Sequence, residues 1–267
     1  MLAADLAPRR TFVALLGALT GLAWLTLFLW ELSPHGRYLD HGSWMELGAG
    51  AWLCRAVPAG AVVVPALIYA LGWTLMTAAM MLPTTLPLLG MFARVTEQRS
   101  DGRALVALVI AGYLLAWLAF GLVAHGLDFG LHEAARAVPW LGLNGWAAGA
   151  TVLAIAGLFQ FSRLKYACLD KCRAPFSFIN QHWRGSNPQR QSLQLGLHHG
   201  LYCVGCCWAL MLVMFVVGTG SIGWMLVLGA VMALEKNHPI GARLSTPLGI
   251  ALLAWASIIV IGHLAGR

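Results

Sequence analysis

Long apolar runs separated by short polar segments set the rhythm of this chain. Seven of them, at about 11–30, 61–82, 104–124, 141–161, 193–217, 221–234 and 247–264, contain no Asp, Glu, Lys or Arg. An uncharged apolar run of about 18 residues or more has the length of a membrane-spanning helix. The pattern therefore predicts an all-α, polytopic transmembrane helix bundle of about seven spans. It forms a single membrane domain over 1–267, with a basic loop at 162–192 between the fourth and fifth spans. The sixth run is short for a bilayer core of about 30 Å. The turn before it, Gly218-Thr219-Gly220-Ser221, is rich in helix breakers. The first run follows Arg9 and Arg10 but has no small-residue cleavage site before Glu31, so it reads as an uncleaved first span rather than a signal peptide.

Composition supports this picture. Residues are 60% hydrophobic and 10% charged, whereas a soluble domain carries about 25% charged residues. The net charge of +7 does not point to nucleic acid, because the basic residues lie in short segments between spans, where they set orientation. Arg9, Arg10, Arg94, Arg99, Arg103, Arg163, Lys165, Lys171, Arg173, Arg184, Arg190, Lys236 and Arg243 fall on one side; Arg37, Arg55, Arg136 and Arg267 fall on the other. The asymmetry places the N-terminus in the cytoplasm, in a bacterial inner membrane. Tryptophans such as Trp24, Trp30, Trp73, Trp140, Trp146 and Trp224 suit interfacial belts. The small-residue pairs Gly17/Gly21, Gly145/Gly149 and Gly196/Gly200 suit close helix packing.

Five of the six cysteines gather around the 162–192 loop. Cys168 and Cys172 stand four apart in KYACLDKCR; Cys203, Cys206 and Cys207 open the fifth span. At 100° per residue, His199, Cys203 and Cys206 share one helical face, with Cys207 at its edge. Cytoplasmic thiols are normally reduced, and converging reduced thiols are metal ligands or redox groups. The thiolate is the binding form, and Lys165, Lys171 and Arg173 flank the first pair. Four sulfurs suit Zn(II); two or three in low coordination suit Cu(I). A lone membrane cysteine such as Cys54 reads as a small apolar filler.

Other groups extend the candidate chemistry. Met76, Met80 and Met81, in MTAAMMLP, offer thioethers at the cytoplasmic end of the second span, where Pro83 and Pro87 break or kink the helix. Glu235, in LEKNHP, sits at the lipid boundary. It either pairs with a base such as Lys165 or orients a histidine ligand. At the opposite end, His125, Asp128 and His132 follow i, i+3, i+7 spacing and form a possible second, outer metal site. A solvated amphipathic helix end is the more ordinary reading of that stretch. No Walker-type phosphate loop and no Gly-x-Ser-x-Gly elbow occurs, which leaves an ATP-driven pump and a hydrolase without an anchor.

The strings QFSRLKYACLDKCRAPFSFINQHWRG, GLHHGLYCVGCCWALMLVMF and ALEKNHP, with MTAAMMLPTTLP upstream, resemble a bacterial family of predicted metal-binding integral membrane proteins, a domain of unknown function. The resemblance runs from about Leu71 to Pro239. It implies that Met80, Met81, Pro83, His132, Gln160, Lys165, Cys168, Cys172, Cys203, Cys206, Cys207, Glu235 and Lys236 are motif positions. Asp128-Phe129 stands where the family has Gln-Trp, so the outer histidine-carboxylate face is peculiar to this chain.

The expected function is metal handling, copper above all, through a cytoplasmic-side cysteine cluster. Cu(I) is the favoured ion and Zn(II) the second. The expected partners are membrane lipid and a metal-donor or acceptor protein or membrane complex. Enzymatic activity is not required by anything in the sequence. Two other readings remain open at this level: a membrane thiol-disulfide oxidoreductase, and a structural subunit of a larger membrane complex with a structural metal.

Overall fold

The computed structural model describes residues 7–32, 63–140, 144–218 and 221–265. Cys54, Arg37, Arg55 and Arg267, used in the reading above, lie outside them. The described residues form ten α-helices: α1 (Ala7–Glu31), α2 (Val63–Met80), α3 (Leu86–Val95), α4 (Gly102–Ala137), α5 (Gly145–Phe159), α6 (Arg163–Arg173), α7 (Pro175–His182), α8 (Pro188–Val217), α9 (Ile222–Asn237) and α10 (Gly241–Ala265). A 3-10 turn, Pro83–Thr85, joins α2 to α3. No strand occurs among the described residues.

Each of the seven apolar runs contains a helix, but they are not seven equal spans. Among the described residues, α4, α8 and α10 are the single helices long and apolar enough to cross a membrane. Two bent pairs raise the number to as many as five: Tyr69–Met80 with Pro83–Val95, bent by 46°, and α5 with α6, bent by 63°. The first bend falls at Pro83, which has no N–H to continue the helix. The carbonyls exposed there find other donors. Thr84 Oγ1 donates to Met81 O at 2.7 Å, and Thr85 Oγ1 to Leu82 O at 2.7 Å. At the second bend, Ser162 caps α6 by accepting the Lys165 backbone N–H at 3.1 Å. Large apolar side chains such as Leu22, Leu25 and Phe28 on α1 and Ile250, Ile258 and Ile261 on α10 face outward, as a lipid-facing surface requires.

The central pair is α4 against α8. Glycines let the two backbones meet. A side chain at Gly112 would strike the Leu193 and Leu197 backbone, one at Gly196 the Val109 backbone, and one at Gly200 the Tyr113 backbone and the Ala116 methyl. Gly196 and Gly200 thus pack helices as their spacing suggests. Gly17 and Gly21 do not: both face open space.

The 162–192 segment, expected as a basic loop, holds two short helices. One buried ion pair docks the first of them. Lys165 Nζ on α6 donates to Glu235 Oε1 on α9 at 2.6 Å, and both side chains are fully buried. Gln160 also accepts from Lys165, and Ser245 of α10 donates to Glu235 Oε1 at 2.7 Å. Arg173 reaches the Glu235 and Pro239 carbonyls. Lys165 is therefore a structural cation and not a loop charge.

Two stability results are expected from thermal or denaturant unfolding of detergent-purified protein. Gly196→Ala forces α4 and α8 apart and costs about 1–3 kcal/mol, whereas Gly17→Ala, in open space, leaves stability equal or slightly raised. Equal effects at the two sites would refute the close seam. Glu235→Gln or Lys165→Met alone strands a buried charge and costs roughly 3–5 kcal/mol, while Lys165→Met with Glu235→Leu recovers most of that loss. Additive losses would refute the pairing.

Candidate metal centre

The glycine seam and the docked α6 converge on the middle of α8. His199, Cys203, Cys206 and Cys207 are all buried there. The Cys206 and Cys207 sulfurs lie 3.3 Å apart, and Cys206 also reaches the Cys203 carbonyl at 3.2 Å. From α6, the Cys172 side chain is half-buried and packs against the same core. Cys168 packs its sulfur over Gly205, where a larger residue would collide with it. All five cysteines of the described residues are free thiols.

Cys203 has a different environment. Lys236 Nζ on α9 lies 2.8 Å from its sulfur, and Tyr113 Oη on α4 lies 3.0 Å from it. The same ammonium also reaches Thr84 Oγ1 at 3.3 Å and Met81 Sδ at 3.9 Å. Tyr113 Oη reaches the Met81 carbonyl at 3.3 Å as well. A buried ammonium needs a counter-charge or several acceptors. Cys203 is the nearest partner able to carry a negative charge, and an ammonium 2.8 Å from the sulfur suits a thiolate.

The other expected ligands divide. Met81 joins the Lys236 cluster, while Met80 packs against Gly229 of α9 and Met76 is buried in the core. Glu235 is engaged by Lys165 and Ser245, which is the pairing alternative rather than the histidine-orienting one. At the far end, His132 Nδ1 meets the Asp128 carbonyl at 2.9 Å and Asp128 Oδ1 at 3.4 Å, and His125 stacks on Tyr69 of α2 with ring centroids 4.2 Å apart. Asp128 and His132 are buried, while Glu133 and Arg136 beside them are exposed, so this end of α4 is amphipathic with its Asp128–His132 face turned inward. Among the described residues, no group of three or more His, Cys, Asp or Glu side chains is arranged to hold a metal ion. At the thiol cluster the reason is visible: Cys203 is turned to Lys236 and Tyr113, and Cys206 to a carbonyl.

Sequence reasoning missed Tyr113 and Thr84; it counted Lys236 as a loop charge and marked it as a motif position only through the family resemblance. Tyr113 did carry a signal, as a phenol in the middle of an otherwise apolar run. Lys236 carried one too, because it directly follows the boundary acid Glu235.

No curated protein and no solved structure gives a significant match. A family model does match: residues 70–259 fit the PpoB2 family, described as copper chaperone. The matched stretch takes in the glycine seam, the buried ion pair, both groups of described cysteines and Lys236. It covers well over half of the chain, which therefore belongs to the PpoB2 copper-chaperone family.

Proposed function

We propose that this protein is a membrane-embedded copper chaperone that carries Cu(I) on the thiols of α8 and passes it to an acceptor protein. Cys203, Cys206 and Cys207 are the carrying ligands. Cys172, with Cys168 behind it on α6, is the group that exchanges copper in and out. The site faces the cytoplasm in a bacterial inner membrane with the N-terminus on the same side, in keeping with the basic segments around it. The observation that carries the reading is the convergence of three buried thiols from α8 with the Cys168 sulfur of α6, which lies over Gly205.

The donor set fits the cargo. Cu(I) takes two or three soft ligands and needs no oxygen donors. Thiols 3.3 Å apart on one helix need only side-chain rotation to face a single ion. Met81 supplies a thioether at the edge of the same cluster. The role of Lys236 follows from the low polarity around it. Sulfur anions within an apolar bundle are costly without a counter-charge, and the ammonium beside Cys203 supplies one before and after copper arrives. Tyr113 holds the Cys203 sulfur in place. Handing copper on is then an exchange in which one copper–sulfur bond forms as another breaks, so no free ion crosses the protein.

Two measurements test this. Detergent-purified wild-type protein loaded anaerobically with Cu(I) binds about one ion per chain, with sulfur ligation in X-ray absorption. The Cys203→Ser/Cys206→Ser/Cys207→Ser variant loses that sulfur-bound copper; equal copper and equal sulfur ligation in the two proteins would defeat the assignment. Lys236→Met keeps the thiols but removes the counter-charge, and Cu(I) affinity in chelator competition falls about tenfold or more, equivalent to about 1.4 kcal/mol. Undiminished affinity would show that the ammonium has no part in binding.

A further inference from the structure

The carrying thiols are buried, so copper must reach them by some route, and one side-chain group outside the cluster suits the task. His182 ends α7 and His198 stands one turn before Tyr202 on α8; their ring centroids lie 5.1 Å apart. His198 is exposed and His182 partly so. The His182 Nδ1 lies 2.9 Å from the Phe178 carbonyl. A carbonyl only accepts, so that contact places the proton on Nδ1 and leaves the Nε2 lone pair free for a metal. A backbone carbonyl fixing the tautomer in this way is a common support for a histidine ligand.

A single aromatic side chain separates this pair from the buried face of α8. Phe178 stacks on His182 at 4.3 Å and meets His199 edge-on at 5.3 Å. His199 follows His198 directly but lies on the buried face, and its Nδ1 has no hydrogen-bond partner. An orphaned buried ring nitrogen is costly. This one sits a single helical turn before Cys203. Imidazole is a good ligand for copper, and two donors satisfy Cu(I).

Resting on the copper reading above, we propose that His182 and His198 form an uptake site that binds Cu(I) first and delivers it through His199 to the α8 thiols. Copper stays monovalent throughout. Each copper–nitrogen bond breaks as a copper–sulfur bond forms, and a thiol that binds as thiolate gives its proton to the imidazole nitrogen that copper leaves. The three histidines are thus kinetic stations and the thiols the resting place.

The test follows loading by stopped flow, with Cu(I) presented by a coloured chelator to full-length protein in detergent. His198→Ala removes an exposed ring without touching the Phe178 contact, so the fold is kept. It should slow loading about tenfold yet reach the same final sulfur-bound stoichiometry, and His198→Met, which offers another soft donor, should restore most of the rate. An unchanged rate in His198→Ala, or no rescue by methionine, overturns the uptake role. The Cys203→Ser/Cys206→Ser/Cys207→Ser background separates this proposal from the reading it rests on. Nitrogen-bound copper should appear there and vanish when His182→Ala and His198→Ala are added, and its absence overturns the uptake site. Wild-type protein without sulfur-bound copper would instead defeat the thiol-carrier reading alone.

Discussion

Two ammonium groups buried in one apolar bundle set the terms for everything around them. Lys165 and Lys236 lie where the solvation of a charge is largely lost, and each must find compensation within the protein. The C-terminal turn of α9 serves both. Glu235 and Lys236 are adjacent, so their side chains leave the helix about 100° apart. Glu235 turns to Lys165 and Ser245, and Lys236 to Cys203, Thr84 and Met81. One helix turn therefore clamps α6 and α10 on one side and the Pro83 break and α8 on the other. The 63° bend between α5 and α6 is the geometric consequence: α6 folds back to bring Lys165 to its acid, and this lays Cys168 against Gly205 of α8.

The second constraint is steric. Helices without large side chains between them can approach until backbones touch, and α4 and α8 do so at Gly112, Gly196 and Gly200. That closeness brings the Tyr113 hydroxyl to the Cys203 sulfur and to the Met81 carbonyl at once. The proline break in α2 contributes from the other side. By ending the helix at Met80, it places Thr84 beside the ammonium and frees carbonyls that Thr84, Thr85 and Tyr113 then bond. The thiol cluster thus depends on a seam, a break and a bend in separate parts of the sequence.

These origins explain which features were legible in the sequence. Hydropathy is a local property, so all seven apolar runs were found, and each contains a helix. The burial of α8 around His199, Cys203 and Cys206 follows from the same apolar run. The Lys165–Glu235 pairing was offered as one of two alternatives, because an acid at the lipid boundary calls for a base, but the full burial of Lys165 and the contacts of Lys236 were not legible. They depend on partners from 33 to 155 positions away, and a lysine at the end of an apolar run looks the same whether it is buried or not. Helices α6 and α7 were hidden for the same reason, since their polar residues are held by tertiary contacts. Asp128 and His132 look like a solvated helix end until α4 is seen to run 36 residues, about 54 Å, with that face packed inward.

Charge conservation gives the arrangement a further logic. A Cys203 thiolate beside the Lys236 ammonium is neutral as a pair. In the proposed complex, Cu(I) between two thiolates carries one net negative charge, which the same ammonium balances. Loading then requires one more thiol to lose its proton, and the total charge within the bundle does not change. A third thiolate on copper would leave one negative charge unbalanced in a medium that penalises it. The single lysine therefore favours a two-thiolate resting state, with the third α8 thiol protonated and near at hand. That spare thiol is what a carrier needs: when it or Cys172 gives up its proton and attacks, copper gains a third sulfur at an electrostatic cost. The cost is relieved as soon as one of the original sulfurs lets go, which makes the three-sulfur complex a step in transfer rather than a place to stop.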